Sequence, residues 1–300
     1  MACKSNPALS REKKPERIKV RLPSDPVFWS TKGLVDDLNL HTVCEEAQCP
    51  NRWECWSSGT ATFMIAGDRC TRACGFCAVK TAKPFALEQD EPQRVAEATR
   101  RLGLKHVVIT AVARDDVADG GAEHFARTVE ATKAANPGIV IEVLVPDFNG
   151  KNDALEVCLA SEPHIFNHNL ETVERLTKLV RSRARYTRSL KVLKKAKEIA
   201  SSRGSNVAIK SGMMLGLGET EEEVCVAMDD LLAHEVTVLT LGQYLRPSAK
   251  HLPVVEYIHP EQFVRLKSIA EEKGFRHVAS GPLVRSSYHA ADFKPELDIL

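Results

Sequence analysis

Six β-rich runs alternate with helical segments from residue 60 onward, and this alternation predicts an α/β fold, a partial (β/α)6 TIM-like barrel. Parallel strands need long connections, which the helical segments between the runs supply. The runs are almost continuously apolar, as is typical of strands covered on both faces. A doubly wound open sheet is the rival architecture. In both folds, ligands bind beyond the carboxyl ends of the strands.

Each predicted strand is followed by enough chain for a helix. The strands are TATFMIAG (60–67), KHVVITAV (105–112), IVIEVLV (139–145), HIFNHNL (164–170), NVAIKSGMMLGL (206–217) and VTVLTLGQYL (236–245). The helices between them include PQRVAEATRRLG, GAEHFARTVEATKAAN, SLKVLKKAKEIASSRG and PEQFVRLKSIAEEKG. Several of these segments stop at a glycine, as helices often do.

Two extensions flank the predicted barrel. Residues 1–59 form an N-terminal extension, residues 60–275 form the barrel, and residues 276–300 form a C-terminal extension containing HVASGPLVRSSYHAADF. The polar start of the chain lacks the apolar segment of a secretory signal, so a cytoplasmic location is expected. The sequence contains no run of eighteen apolar residues, so no membrane span is predicted. The net charge of +1 argues against a protein whose main partner is a polyanion.

Nine cysteines are present, and six of them fall between Cys44 and Cys77. A disulfide framework is disfavoured because the chain is long, lacks an export signal and has an odd number of cysteines. Metal ligation fits this clustering better. Cys158 and Cys225 lie in amphipathic helical segments and are interpreted as buried structural thiols. No role is assigned to Cys3.

The segment RCTRACGFC places Cys70, Cys74 and Cys77 at C-x3-C-x2-C, on a loop that directly follows the first predicted strand. Three thiolates hold three corners of a cubane 4Fe-4S cluster and leave the fourth iron open for a small molecule. S-adenosylmethionine (SAM) suits that position, because its amino and carboxylate groups chelate iron while an electron breaks a carbon–sulfur bond. The competing interpretation is a zinc loop, which normally uses paired C-x2-C motifs.

A second triple lies upstream, in CEEAQCPNRWEC, with Cys44, Cys49 and Cys55 at C-x4-C-x5-C. It is also one ligand short of four. No further cysteine is available outside the two helices and the tail, so a fourth ligand has to be oxygen, nitrogen or nothing.

These motifs resemble those of the lipoyl synthases, a family of the radical SAM superfamily, over about residues 40–292. The matching segments are CEEAQCPNRWECW, CTRACGFCAV, TAVARDDVADGGAEHF, VLVPDF, FNHNLETV, RARYTRSL, KSGMMLGLGE, LGQYLRPSAKHLPV and GPLVRSSYHA. The resemblance implies a SAM-binding cluster on Cys70, Cys74 and Cys77. It also implies an auxiliary 4Fe-4S cluster on Cys44, Cys49, Cys55 and a serine of RSSY, with Ser287 favoured over Ser286. Residues expected near SAM are Phe76, Glu142, Asn167, Lys210 and Gly216.

The resemblance further implies a sulfurtransferase. In this family SAM is reduced to methionine and a 5′-deoxyadenosyl radical, which abstracts hydrogen from carbons 6 and 8 of an octanoyl chain on a carrier lysine. The auxiliary cluster then gives up two sulfides, and two SAM molecules are spent per lipoyl group. Acid–base chemistry does not reach such alkane hydrogens. An alkoxide ligand is harder than thiolate, so it is expected to release its iron more readily.

The implied partners are octanoylated lipoyl carrier domains, namely the E2 subunits of 2-oxoacid dehydrogenases and the H protein of glycine cleavage. An electron donor such as flavodoxin or ferredoxin and iron–sulfur carrier proteins are also implied, with no nucleic-acid or membrane partner. The run RSRARYTRSLKVLKKAK (181–197) carries eight Lys or Arg and no acidic residue. Such a run is usually a solvated helix face, and the alternative hypothesis is that it steers an acidic carrier. No aromatic stacking platform accompanies it, which disfavours nucleic acid.

Two other functions compete with this interpretation. A different sulfur-inserting radical enzyme would share Cys70, Cys74 and Cys77 but would not need RSSY. A zinc-stabilised binding module would bind little iron.

Overall fold

The computed structural model describes residues 15, 26–57, 62–288, 290 and 293. The elements that precede the barrel are α1 (Pro26–Asp37), β1 (His41–Thr42), α2 (Val43–Glu46) and α3 (Arg52–Ser57). An aromatic cluster joins α1 to α3, since the Phe28 ring stacks on Trp53 and Trp56 at centroid distances of 4.1 and 5.2 Å. This packing fixes the helix that carries Cys55 against the rest of the molecule.

The remaining strands begin with β2, and the start of its predicted run, residues 60 and 61, lies outside the described residues. The strands are β2 (Thr62–Ile65), β3 (Arg69–Cys70), β4 (Lys80–Thr81), β5 (His106–Ala111), β6 (Val140–Leu144), β7 (Ile165–Asn167), β8 (Ala208–Leu215), β9 (Val238–Gln243) and β10 (His277–Gly281). Each of the six predicted runs contains one of these strands.

The main sheet has the order β1-β2-β5-β6-β7-β8-β9-β10. Apart from β1, which pairs antiparallel with β2, all neighbours in it are parallel. The parallel strands follow chain order without the reversal that defines a doubly wound sheet. No pairing between β1 and β10 closes the sheet within the described residues. The α/β partial-barrel prediction is therefore confirmed, and the barrel is open.

The sheet contains one parallel strand more than the six predicted runs. β10 pairs with β9 from His277↔Val238 to Gly281↔Gly242, in a segment that the sequence assigned to the C-terminal extension. Its five residues, HVASG, contain too few apolar side chains to be recognised as a buried strand.

Helices cover the outside of the sheet. They are α4 (Glu91–Arg101), α5 (Ala122–Ala135), α6 (Asn152–Ala160), α7 (Glu174–Val180), α8 (Tyr186–Ser202), α9 (Glu221–Ala233) and α10 (Pro260–Lys273). Their ends carry recognisable signals. Thr220 and Glu223 form a capping box at the start of α9, and Gly274 ends α10 in a left-handed conformation at φ 114°.

The core is continuous between sheet and helices. All residues of β2 and β9 are buried, which is the pattern of strands covered on both faces. Cys158 on α6 is fully buried, as expected of a structural thiol, whereas Cys225 on α9 is only partly buried. In the part of the chain that the structure describes, no helix has both the length and the apolar character needed to cross a bilayer.

Candidate active site

A cavity of about 510 Å³ opens at the carboxyl ends of the parallel strands. Loops that follow β2, β5, β6, β7, β9 and β10 contribute to its wall, as does β8 itself. All six clustered cysteines and the whole RSSY segment line it. The structure thus brings together residues 44–77 and 285–288, which lie at opposite ends of the chain.

The loop of the first triple is held by backbone contacts on several sides. The N–H of Gly75 donates to the carbonyl of Val180 at 2.9 Å, and the N–H of Leu252 donates to the carbonyl of Gly75 at 2.9 Å. Two backbone N–H groups, of Arg72 and Ala113, each donate to the Cys70 sulfur at 3.4 Å. Such N–H donors are characteristic partners of iron–sulfur thiolates.

The second triple lies on two short helices and the turn between them. Cys44 belongs to α2 and Cys55 to α3, while Cys49 follows α2 and donates its N–H to the carbonyl of Cys44 at 3.1 Å. The Thr42 hydroxyl caps α2 by accepting from Glu45 N–H at 3.3 Å. These local bonds turn the three thiols toward the same cavity.

None of the six thiols is in a disulfide, and burial disfavours the ionised form of five of them. Burial raises the pKa of Cys44 and Cys74 to about 11 and that of Cys55 and Cys77 to about 12, and it also raises the pKa of Cys49. Buried thiols gathered in two groups become stable thiolates only beside strong positive charge. Iron supplies such charge.

The type and burial of the donor side chains are compatible with iron–sulfur clusters. Among the described residues, no three His, Cys, Asp or Glu side chains converge as a single metal ion requires. A cubane spreads its ligands over separate irons, and each triple offers three thiols for such an arrangement. Donor type, burial and the N–H groups that point at Cys70 fit two cysteine-ligated clusters.

The RSSY segment and the adjoining Leu283 are held at the cavity by contacts from two distant parts of the chain. Asn51 Nδ2 donates to the Leu283 carbonyl at 2.6 Å, Asn169 Nδ2 donates to the Ser286 hydroxyl at 2.6 Å, and the Tyr288 hydroxyl lies 3.1 Å from Glu54 Oε1. The Ser287 hydroxyl makes no hydrogen bond to the described residues. The two serines therefore differ, because Ser286 is engaged in holding the segment and Ser287 is not.

An arginine–carboxylate network lies beside the first triple. Arg72 Nη2 contacts Asp115 Oδ1 at 2.8 Å and Asp147 Oδ1 at 2.6 Å, and Arg188 approaches Asp147 Oδ2 at 3.2 Å. Burial alone would raise the pKa of Asp147, but the hydrogen bond and charge of Arg72 outweigh it and the pKa falls to about 2. The hydrogen bond from Arg72 likewise lowers the pKa of Asp115.

Further polar groups of the cavity wall follow β7. His168 Nδ1 lies 2.8 Å from the Val145 carbonyl and Nε2 lies 2.9 Å from Ser189 Oγ, and burial lowers its pKa to about 4. Arg181 and Glu171 are close enough to influence each other and Cys74. Burial raises the pKa of Glu171 and lowers that of Arg181. Sequence reasoning missed these groups, although His168 adjoins Asn167 in FNHN.

The residues expected near SAM fall into two places. Phe76 lines the cavity, whereas Glu142, Asn167, Lys210 and Gly216 are not part of its wall. Glu142 is fully buried; it accepts from Asn167 Nδ2 at 2.7 Å and from Lys210 Nζ at 2.9 Å, which links β6, β7 and β8. Gly216 has φ +95°, and a Cβ there would lie 2.3 Å from Gln243 Nε2.

Comparisons with known proteins agree with this geometry. The model of the radical SAM superfamily matches residues 64–231. The lipoyl synthase of Oceanobacillus iheyensis is 57% identical over 279 residues, covering 93% of this chain and 88% of that protein. Those of Symbiobacterium thermophilum and Bacillus mycoides are each 54% identical over 93% of this chain, and the alignments cover 86% and 93% of those proteins.

Solved structures of low sequence identity share the fold. Methylornithine synthase (PylB) superposes with a TM-score of 0.53 at 12% identity, covering 87% of this chain and 83% of that one. SuiB of Streptococcus suis superposes with a TM-score of 0.54 at 15% identity, covering 76% and 52%. The fold, the superfamily match and identities above half over nearly the whole length lead to one assignment: the chain belongs to the lipoyl synthase family of the radical SAM superfamily.

Proposed function

We propose that the chain inserts two sulfur atoms at carbons 6 and 8 of a protein-bound octanoyl-lysine and so produces the lipoyl group. The observation that carries this proposal is the single cavity that both cysteine triples and the RSSY segment line. A hydrogen-abstracting centre and a sulfur source have to act on the same short carbon chain, and here both ligand sets face one space.

Cys70, Cys74 and Cys77 would hold the 4Fe-4S cluster that the superfamily uses with SAM. When bound, this cluster supplies the electron for radical cleavage of SAM. The opposite charges of Arg181 and Glu171 near Cys74 suit the carboxylate and ammonium of SAM, respectively. Phe76 contributes an apolar surface to the same wall. Four of the residues expected near SAM would act indirectly, by keeping the strands that carry the site in register. They are Glu142, Asn167, Lys210 and Gly216.

Cys44, Cys49, Cys55 and Ser287 would hold the auxiliary 4Fe-4S cluster. When bound, this cluster supplies the two sulfides that become the lipoyl sulfurs. The free hydroxyl of Ser287 supports its assignment as the fourth ligand, whereas the bond from Asn169 gives Ser286 a positioning role. The harder oxygen ligand favours release of its iron.

The cavity also has to keep water and other hydrogen donors from a carbon radical. Met64, Val112, Val145 and Met213 contribute apolar side chains to its wall, and all four are buried. We propose octanoylated lipoyl carrier domains as substrates, including the E2 subunits of 2-oxoacid dehydrogenases and the H protein of glycine cleavage. A flavodoxin or ferredoxin would supply electrons, and iron–sulfur carrier proteins would rebuild the auxiliary cluster.

The deciding experiment compares Ser287→Ala with Ser286→Ala in protein purified without oxygen. Ser287→Ala should still cleave SAM reductively but lose most sulfur insertion, because the auxiliary cluster loses its fourth ligand. Ser286→Ala should retain the auxiliary cluster signal and insert sulfur more slowly. Cleavage is measured as 5′-deoxyadenosine and insertion by mass spectrometry of an octanoylated carrier.

Two controls complete this experiment. Cys77→Ala should abolish SAM cleavage, and the wild-type protein should contain about eight irons and little zinc, as two cubane clusters require. Normal sulfur insertion by Ser287→Ala would contradict the oxygen-ligand assignment. Stoichiometric zinc without iron would contradict the proposed function.

A further inference from the structure

A strongly basic surface lies next to the active-site cavity, at and after the start of α8. Eight Lys or Arg residues fall between 181 and 197 without one acidic residue, although the whole chain has a net charge of only +1. α8 buries Tyr186, Leu190 and Leu193 against the core. The helical period therefore places Lys191 and Lys194 on the outer face of α8, and both are exposed. Arg183 and Arg185, just before the helix, are exposed as well.

The charges of this surface are largely uncompensated. Within the residues that the structure describes, Arg185, Lys191 and Lys194 form no ion pair, and Arg183 has one distant contact, at 3.6 Å to Asp115. Lys191 and Lys194 are three residues apart, so their like charges repel each other on one helix face. An ordinary solvated helix mixes both signs, as the Arg100–Glu97 and Lys267–Glu271 pairs do elsewhere in this chain.

The basic surface contains a cleft of about 350 Å³. Arg185, Arg188 and Lys191 line it together with polar Asn149, Asn152 and Thr187, and none of its lining residues is acidic. Arg188 alone of the three basic residues is paired, with Asp147 at 3.2 Å. The cleft therefore offers two unpaired cations and several hydrogen-bond groups to an incoming carboxylate.

Only one layer of side chains separates this cleft from the active-site cavity. Asn149, which lines the cleft, accepts from Arg72 Nη2 at 3.0 Å and donates to Asp115 Oδ1 at 2.9 Å, and Arg72 lines the cavity. Ser182 Oγ donates to the carbonyl of Ala73 in the cysteine loop at 3.0 Å. Beside it, Leu179 is 62% exposed and offers an apolar contact at the same rim.

We propose that this basic surface docks an acidic protein domain that presents the octanoyl-lysyl side chain to the cavity. The inference rests on the proposed function and adds the chemistry of partner recognition to it. Charge complementarity at a rim accelerates encounter and fixes orientation, and arginine is one of the residues that most often dominate the binding energy of an interface. The position of the cleft directs a bound domain to the rim where the substrate chain enters.

The test measures binding of an acidic octanoylated carrier domain to the anaerobic, cluster-loaded enzyme. The variant R185E/K191E/K194E reverses the surface charge, and K105E/R265E/K267E makes the same charge change elsewhere. Lys105 precedes β5 at the opposite end of the barrel, and Arg265 and Lys267 are exposed on α10. A short neutral octanoyl-lysyl peptide serves as the substrate that needs no docking.

The first variant should raise the Kd for the carrier at least about tenfold, and the second should leave it within about twofold. Wild-type binding should weaken as salt rises from about 50 to about 200 mM, and turnover of the peptide should be equal in all three proteins. Equal carrier affinity of the two variants would overturn the docking surface. The docking surface would also be overturned if an oligonucleotide bound more tightly than the carrier and if R185E/K191E/K194E abolished that binding. If the wild-type protein converts neither peptide nor carrier, the proposed function is overturned. The docking surface is still tested in that case, because it is judged by the Kd for the carrier and not by turnover.

Discussion

At the scale of single residues, burial raises the pKa of most of the clustered thiols, whereas the pKa of Asp147 falls although Asp147 is buried as well. Cys44, Cys49, Cys55, Cys74 and Cys77 have no neighbouring cation strong enough to offset the loss of water, so burial favours their neutral form. Asp147 is just as buried, yet Arg72 stabilises its charge. The buried thiols and the buried carboxylate therefore differ because only the carboxylate has a paired cation, Arg72.

The low pKa of Asp147 predicts a stability that depends on pH. Its folded pKa of about 2 lies below the unfolded value of about 3.9, so its stabilisation is complete above pH 4 and is lost as pH falls towards 2. Asp147→Asn should remove about 2 kcal/mol of this pH-dependent term. The measurement is the free energy of unfolding of the full-length, cluster-free chain between about pH 2.5 and 7.

Asp116→Asn provides the matched control. Asp116 pairs with Arg114 at 2.9 Å, but its side chain is 37% exposed and solvent screens the pair. This variant should change the pH dependence much less. If Asp147→Asn does not flatten the wild-type curve between about pH 4 and 2.5, the role assigned to Arg72 is contradicted.

At the scale of elements, β10 carries the segment that completes the cavity. The RSSY segment leaves β10 and passes over Gly242 of β9, where an added Cβ would lie 2.1 Å from the Val284 carbonyl oxygen. Gly281 is the register partner of Gly242, and its added Cβ would meet only a methyl group of Val284 at 3.4 Å. Two neighbouring glycines thus have different requirements.

Gly242→Ala should therefore displace the RSSY segment, and Gly281→Ala should not. We expect Gly242→Ala to lose the auxiliary cluster signal and nearly all sulfur insertion while it still cleaves SAM, because the cysteine loop after β2 is untouched. Iron content and 5′-deoxyadenosine formation distinguish these outcomes. Full sulfur insertion by Gly242→Ala would show that the close approach is not needed.

The strands and the long-range contacts differ in how far the sequence alone predicts them. Six strands were predictable because each is a long apolar run, while β10 depends on pairing with β9 rather than on its own composition. The cysteine triples were visible from spacing alone. The Arg72–Asp147 pair and the Asn169–Ser286 bond join residues 75 and 117 positions apart, and no local pattern reveals such pairs.

At the scale of the whole molecule, hydrogen bonds beside the proposed auxiliary site link the segments that flank the barrel. Asn51 and Leu283 are hydrogen-bonded across the site, and Tyr288 contacts Glu54. A cluster on Cys44, Cys49, Cys55 and Ser287 would add covalent links between the same two flanks. Metal binding to the folded form alone stabilises that form.

Removal of the auxiliary cluster should therefore loosen both flanks together. In C44A/C49A/C55A, hydrogen exchange should rise in residues 41–57 and 282–288 but not in β5 to β9, as measured by mass spectrometry. C70A/C74A/C77A removes the other cluster and should leave both flanks protected. Faster exchange in only one flank, or in neither, would contradict the proposed link.

The contact between Asn51 and Leu283 has a consequence for how the protein is made. They are 232 positions apart, and this length of chain takes roughly 12 to 46 seconds to synthesise at about 5–20 residues per second. During almost all of that interval the three upstream cysteines have been translated but Ser287 has not. In the proposed arrangement the auxiliary site therefore obtains its fourth ligand only after the whole barrel has been synthesised, so the complete site forms late.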